Sequence, residues 1–277
     1  MEWVAGSLRA EDAMYQSHWG IEQSPFRSCL DPQFFYASPT HDEALARLHF
    51  LVEHRHRLGL LLGPAGSGKS LLLEMFARQC AAAGCAVANV NLLGVEPEEL
   101  LVQLASQLQR DGGPALPVSA LWRIVTDRLA ELRYEQRPVV VLLDDAECAH
   151  AATSDMVARL ARHHPSPEMR LTLVLAAEQA RVRSLSHRLL DLAELRIEVE
   201  PWAASDTGEF LAASLRKAGC RSEVFDEPAV SRLHELAGGL PRRVARLADL
   251  ALAAGAGAQL RQIDAGVIDS VHSELCV

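Results

Sequence analysis

Eight consecutive residues, Gly63-Pro64-Ala65-Gly66-Ser67-Gly68-Lys69-Ser70, carry the spacing G-x-x-x-x-G-K-[ST] at every fixed position. These residue types suit the cradling of a phosphate chain. Gly63, Gly66 and Gly68 let the backbone curl with its N–H groups turned inward, a shape that favours an anion. Lys69 adds a point charge for β- and γ-phosphates, and Ser70 a hydroxyl for Mg²⁺. Counting the first residue of the helix that follows, Leu71, the stretch expected to hold ATP runs from Gly63 to Leu71.

A second set of groups lies further along. Val139-Val140-Val141-Leu142-Leu143 is a continuous apolar run, the pattern of a central parallel strand, and it ends in Asp144-Asp145-Ala146-Glu147. An acid at the tip of such a strand is expected beside the phosphate loop. Asp144 is then placed to hold Mg²⁺ with Ser70 and water. Asp145 is placed to orient or activate an attacking water, with Glu147 able to reach in from the next turn. The chemistry expected of these residues is hydrolysis of Mg-ATP.

The elements that must position these groups alternate. Leu58 to Leu62 reads as a buried strand, and Leu71 to Cys80 as a helix with Leu72, Met75, Phe76 and Cys80 at helical spacing. Strands are expected at 86–91, 139–143, 171–176 and 195–199, and helices at 98–109, 119–134, 154–162 and 182–192. Pro97 and an acidic first turn open the first of those helices. Strand–helix alternation implies a parallel sheet covered on both faces. After Pro201-Trp202 the pattern is helical only, at 206–218, 227–237, 241–253 and 264–275. The expected fold class is α/β, a phosphate-loop NTPase sheet in residues 14–202 followed by a small all-helical lid in 203–277. Residues 1–13 read as a disordered extension.

Composition narrows the function. The chain has 277 residues, 49% hydrophobic and 23% charged, with a net charge of −9. That balance disfavours a broadly basic nucleic-acid binder, although Arg242, Arg243 and Arg246 would allow a local basic face. No apolar run approaches the ~20 residues that span a bilayer, and Met1 to Ala13 has neither an apolar core nor a basic leader. A cytoplasmic protein without membrane insertion is expected. The six cysteines include no C-x-x-C pair, and Cys80 and Cys148 read as small buried hydrophobes. The eleven histidines include no H-E-x-x-H. His54 and His56, alternating with Arg55 and Arg57, read as a solvated helix face.

The phosphate loop, Asp144-Asp145 and the turn Gly238-Gly239-Leu240-Pro241-Arg242 together resemble an AAA+ ATPase. The N-terminal residues narrow the resemblance. Met14-Tyr15, Trp19-Gly20-Ile21, Pro25-Phe26, Asp31-Pro32, Phe34-Phe35-Tyr36, Ser38 and His41 to Leu48 are similar to the ExeA/GspA-type ATPases. That family includes general secretion pathway protein A, pilus-biogenesis ATPases and relatives in transposition modules. The resemblance spans about Met14 to Leu252 and suggests Met14 as an alternative start.

The resemblance implies further roles. Arg242 matches an arginine that reaches from the lid to the γ-phosphate, and Arg188 one that acts across a subunit interface. The strand 171–176 matches the first-sensor strand, with Ala177-Glu178 where the family often has Gly-Gln. The segment around Phe35, Tyr36 and His41 is expected against the nucleotide base, with a core role open for Phe35 and Tyr36. Three departures stand out. Asp144-Asp145 replaces the usual Asp-Glu, Glu178 alters the first sensor, and the chain stops at Val277 without the membrane and peptidoglycan-binding regions of the secretion proteins. The secretion role is therefore not carried over. The expected function is an ATP-hydrolysing switch in assembly of a larger complex, as a nucleotide-dependent homo-oligomer with an unidentified protein partner. The alternatives are a weakly hydrolysing nucleotide-binding scaffold and a DNA-associated ATPase of the transposition-helper type.

Overall fold

The computed structural model describes residues 15–26, 35–110, 116–164 and 167–275. These form two compact units. One runs from Pro39 to Glu200, and the other joins the described residues up to Ser38 to those from Pro201 onward.

The first unit holds α1 (Pro39–Glu53), β1 (Leu58–Gly63), α2 (Lys69–Ala82), β2 (Ala86–Asn91), α3 (Pro97–Gln107) and α4 (Val118–Tyr134). It continues with β3 (Val139–Asp144), α5 (Ala151–Ala161), β4 (Leu171–Glu178), the one-turn α6 (His187–Leu190) and β5 (Leu195–Glu198). All five strands pair in parallel, in the order β2-β3-β4-β1-β5. Every residue of β1 and β3 is buried, as the unbroken apolar runs require of strands covered on both faces. Leu58, Leu60 and Leu62 share a core with Leu104, Val125 and Leu160 of α3, α4 and α5. Gly59 faces the other way, where an added Cβ would clash with the Leu51 side chain of α1.

β4 lies between β1 and β3, so the acidic tip of β3 comes beside the phosphate loop, as expected, without β3 pairing with β1. The strand beside the loop is β4, and Glu178 stands in register with Gly63. The helix expected at 182–192 is instead a 3-10 turn (Gln179–Ser184) followed by α6. No residue of that turn is buried, so no apolar stripe holds a longer helix there. His54 and His56 lie beyond the end of α1, in a turn where Arg55 has φ 59°. Cys80 is buried as expected, whereas Cys148 is only half-buried.

The second unit holds α7 (Ala204–Lys217), α8 (Glu227–Ala237), α9 (Pro241–Gly257) and α10 (Ala265–Leu275). Its core joins Trp202, Phe210, Leu233, Val244 and Leu252 to Tyr15, Trp19, Ile21 and Phe26. The N-terminal segment therefore packs with the helices and not, as expected, within the α/β domain. Its aromatic side chains explain this. Trp19 Nε1 donates to the Leu252 carbonyl at 2.9 Å, and Trp202 Nε1 donates to Ser38 Oγ at 3.0 Å. α9 continues past residue 253 because small residues allow close approach: a Cβ on Gly255 would meet Trp19 Cζ2 at 2.9 Å. No helix among the described residues is long and apolar enough to cross a membrane. The extension at 1–13 lies outside the described residues.

Candidate active site

The loop from Gly63 to Ser70 connects the end of β1 to the start of α2. Its glycines have separate reasons. At Gly63 an added Cβ would lie 2.7 Å from Ser67 Oγ and 2.8 Å from the Val199 carbonyl, so only glycine fits. Gly66 and Gly68 take φ of 83° and 96°, the left-handed region open to glycine. Ser67 N–H closes the turn on the Pro64 carbonyl at 3.2 Å. The N–H groups of Gly66, Gly68, Lys69, Ser70 and Leu71 donate to no protein group among the described residues. Donors gathered at the start of a 14-residue helix are what a phosphate chain requires.

Lys69 Nζ donates to the carbonyls of Gly63 and Pro64, both at 3.0 Å. Burial pushes its pKa down, against an upward pull from Glu147 first, then Asp144, Glu178 and Asp145. Four acids thus converge electrostatically on one ammonium. Asp144 is buried at the tip of β3. Burial raises its carboxyl above the usual range, opposed by a hydrogen bond from the Ser70 hydroxyl. Ser70 and Asp144 therefore meet, as a Mg²⁺ pair would. Among the described residues no group of three His, Cys, Asp or Glu side chains could hold a metal on its own. A two-residue donor set fits Mg²⁺, which keeps several waters and shares the substrate's phosphates.

Asp145 stands in the left-handed region at φ 50°. Its N–H donates to Asp144 Oδ1 at 3.0 Å, and its Oδ2 accepts from Asn91 Nδ2 at 2.7 Å. Asn91, the last residue of β2, also accepts from the Leu93 N–H at 2.9 Å. Sequence reasoning missed Asn91; the available signal was a polar residue ending a strand beside β3. Glu147 Oε2 is buried with no hydrogen-bond partner among the described residues, and its carboxylate exerts the strongest pull on Lys69.

The two arginines belong to other elements. Arg188, on α6, is exposed, and its Nη1 donates to Asp155 Oδ1 at 2.8 Å. It lines a groove of about 620 Å³ with Trp122, Asp155, Arg159, Arg162 and His163. The Arg159 guanidinium sits 3.9 Å over the Trp122 ring. Burial pushes the His163 pKa down, and His164, Arg57 and Arg159 add to that. Arg242 belongs to the helical unit, in the first turn of α9. Gly238 and Gly239, at φ 60° and 67°, make the turn before it, anchored by Trp202 N–H on the Gly239 carbonyl at 2.8 Å. Tyr36 packs edge-on to Trp202 in that unit and donates its hydroxyl to Glu209 at 2.8 Å. His41 is buried in the α/β unit, where its Nε2 lies 2.9 Å from the Ser67 carbonyl. Tyr36 thus takes the core role, and His41 touches the phosphate loop itself.

Comparison with known proteins agrees with this architecture. Residues 39–175 match the AAA ATPase domain family. General secretion pathway protein A of Aeromonas hydrophila is 25% identical over 245 residues, which cover 87% of this chain and 45% of that protein. The chain thus spans about half the length of that relative. Among solved structures, the Aeropyrum pernix ORC2 protein in its ADPNP-ADP complexes aligns over 90% of this chain and 71% of its own, with TM-score 0.68 and 16% identity. The Thermotoga maritima RuvB Holliday junction branch migration motor aligns over 86% and 70%, with TM-score 0.58 and 16% identity. At such identity these two likenesses speak for the fold alone. The matched domain, the five-stranded parallel sheet and the phosphate loop give this chain the fold of the AAA+ P-loop ATPases, and general secretion pathway protein A is similar to it in sequence.

Proposed function

We propose that this chain binds Mg-ATP at the Gly63–Leu71 loop and hydrolyses it slowly, as a nucleotide-dependent switch in assembly of a larger complex. The observation that carries this reading is Lys69. Its ammonium is held on two loop carbonyls, faced by four acids and set among backbone donors that no protein group uses. When bound, Mg-ATP supplies the phosphoanhydride to be cleaved and a Lewis acid on its phosphates. The N–H groups of Gly66, Gly68, Lys69, Ser70 and Leu71 hold the phosphates, with Pro64, Ala65 and Ser67 shaping the turn. Lys69 exchanges its carbonyl partners for phosphate oxygens. Ser70 and Asp144 hold the metal.

Two acids are candidates to take the proton of the attacking water. Asp145 follows the metal-binding acid, and Asn91 holds it aside, which favours slow turnover. Glu147 is the second, supported by its partnerless Oε2. Arg242 acts from the helical unit on the γ-phosphate, and Arg188 on a neighbouring copy's nucleotide within a homo-oligomer. A cytoplasmic setting belongs to the same proposal and rests on composition. A second reading, a DNA-associated ATPase, is favoured by Arg159, Arg162 and Arg188 around one groove; affinity for DNA that falls steeply with salt would support it.

The test is calorimetry with Mg-ATP together with steady-state phosphate release. The parent protein should bind and release phosphate, and Lys69→Ala should do neither while keeping its circular dichroism spectrum. A Lys69→Ala variant that binds as tightly as the parent removes the loop from the site.

A further inference from the structure

The buried His41 ring has no assigned role beyond its contact with the phosphate loop. Its Nε2 lies 2.9 Å from the Ser67 carbonyl oxygen. A carbonyl only accepts, so Nε2 carries the proton and donates. The ring also lies close against the next residue: a Cβ on Gly68 would be 3.0 Å from His41 Nε2 and 3.3 Å from Cε1. Gly68 is thus glycine for two reasons, its φ of 96° and the ring it must admit. His41 is 3% exposed, so the contact is walled off from water.

We propose that His41 is a positioning residue that locks the Ser67–Gly68 peptide in its phosphate-binding orientation, an inference that rests on the ATP-binding reading above. A trans peptide points its carbonyl and the following N–H to opposite sides. With the Ser67 carbonyl held by His41, the Gly68 N–H is turned away from the ring, and it is one of the donors left for an anion. Glycine leaves this peptide free to rotate, because Gly68 tolerates either sign of φ. A rotated peptide would aim the Ser67 carbonyl where a phosphate oxygen belongs, replacing an attraction by a repulsion. His41 removes that alternative. It acts on the phosphates through the loop and not on the base.

The experiment titrates the full chain and three variants with Mg-ATP and, separately, with tripolyphosphate, which has no base. His41→Ala should weaken both ligands by the same factor, on the order of tenfold for one buried hydrogen bond and the freed rotation. His41→Gln places an amide nitrogen near the Nε2 position and should restore affinity, whereas His41→Asn is too short and should not. Where His41→Ala fails to fold by circular dichroism, the Gln and Asn variants decide: equal affinities overturn the proposal. Weakened ATP with unchanged tripolyphosphate in any variant assigns His41 to the base and overturns it too. A parent chain that binds neither ligand overturns the ATP reading itself, and this inference with it.

Discussion

Asp144 carries a burden that its ligands relieve. Burial holds its carboxyl above the ordinary value of 3.8, so the folded chain binds that proton more tightly than the unfolded chain does. Stability from this group is therefore fullest below the ordinary carboxylate range. It falls as pH rises toward the raised value, and the loss persists above it. The charged form, once populated, is buried beside Asp145, and a bound Mg²⁺ would offset it. Asp144→Asn removes the charge. Without metal, the variant should melt at the parent's temperature or higher. With Mg-ATP, it should show none of the parent's rise. A variant that melts lower alone and still gains from Mg-ATP removes Asp144 from the metal site. The neighbouring acids call for a different measurement, single-turnover hydrolysis. Misplacing a catalytic group by about 1 Å costs on the order of 10² in rate. Asp145→Asn should slow the step by about that factor with ATP binding intact. Asn91→Ala, which frees the Asp145 carboxylate, should speed it several-fold. If Asp145→Asn is normal and Glu147→Gln is slow, the water belongs to Glu147.

The elements of the α/β unit were legible where one residue type served one purpose. β1 and β3 announced themselves because both faces are buried, so their apolar runs are unbroken. The loop was legible because Gly63, Gly66 and Gly68 are required sterically. Strand order was not, since apolar content does not record which neighbour a parallel strand takes; β4 between β1 and β3 emerges only from pairing. Asn91 was hidden for a related reason: its partner Asp145 is 54 residues away. The N-terminal aromatics were recognisable as a pattern, but Trp19 reads the same whether it covers a sheet or, as here, bonds to the Leu252 carbonyl in α9. The junction of β1 with the loop yields a prediction at this scale. In Gly63→Ala the new methyl meets the Val199 carbonyl, a backbone atom that cannot turn aside. Overpacking of this kind costs about 1–3 kcal/mol. Chemical denaturation should show that loss together with weakened Mg-ATP binding. Full stability and affinity in the variant would mean that β1 and the loop shift freely against each other.

At the scale of the whole molecule the question is whether one chain suffices for turnover. Arg188 is exposed, and its only partner among the described residues is Asp155, itself exposed. An ion pair in water contributes about 0–1 kcal/mol, so this guanidinium can be withdrawn from Asp155 at little cost. It does not count among the groups acting on Lys69, and it stands beside Arg159 and Arg162 in a groove that would meet an anion with several positive charges. We propose that it serves a neighbouring copy's site, since an arginine supplied from a second subunit contributes about 10³–10⁵ in rate where it stabilises transferring charge. Phosphate release per chain should therefore rise with protein concentration. Arg188→Ala should remove that rise while binding Mg-ATP as the parent does. Asp155→Asn, which frees the guanidinium without deleting it, should keep the rise. Mixing supplies the deciding arm: Arg188→Ala chains keep their own phosphate loop, and Lys69→Ala chains keep Arg188. Combined, the two variants should recover the rise in activity that neither has alone. Activity per chain that stays flat with concentration, and mixtures that recover no rise, would show that each chain completes its site by itself.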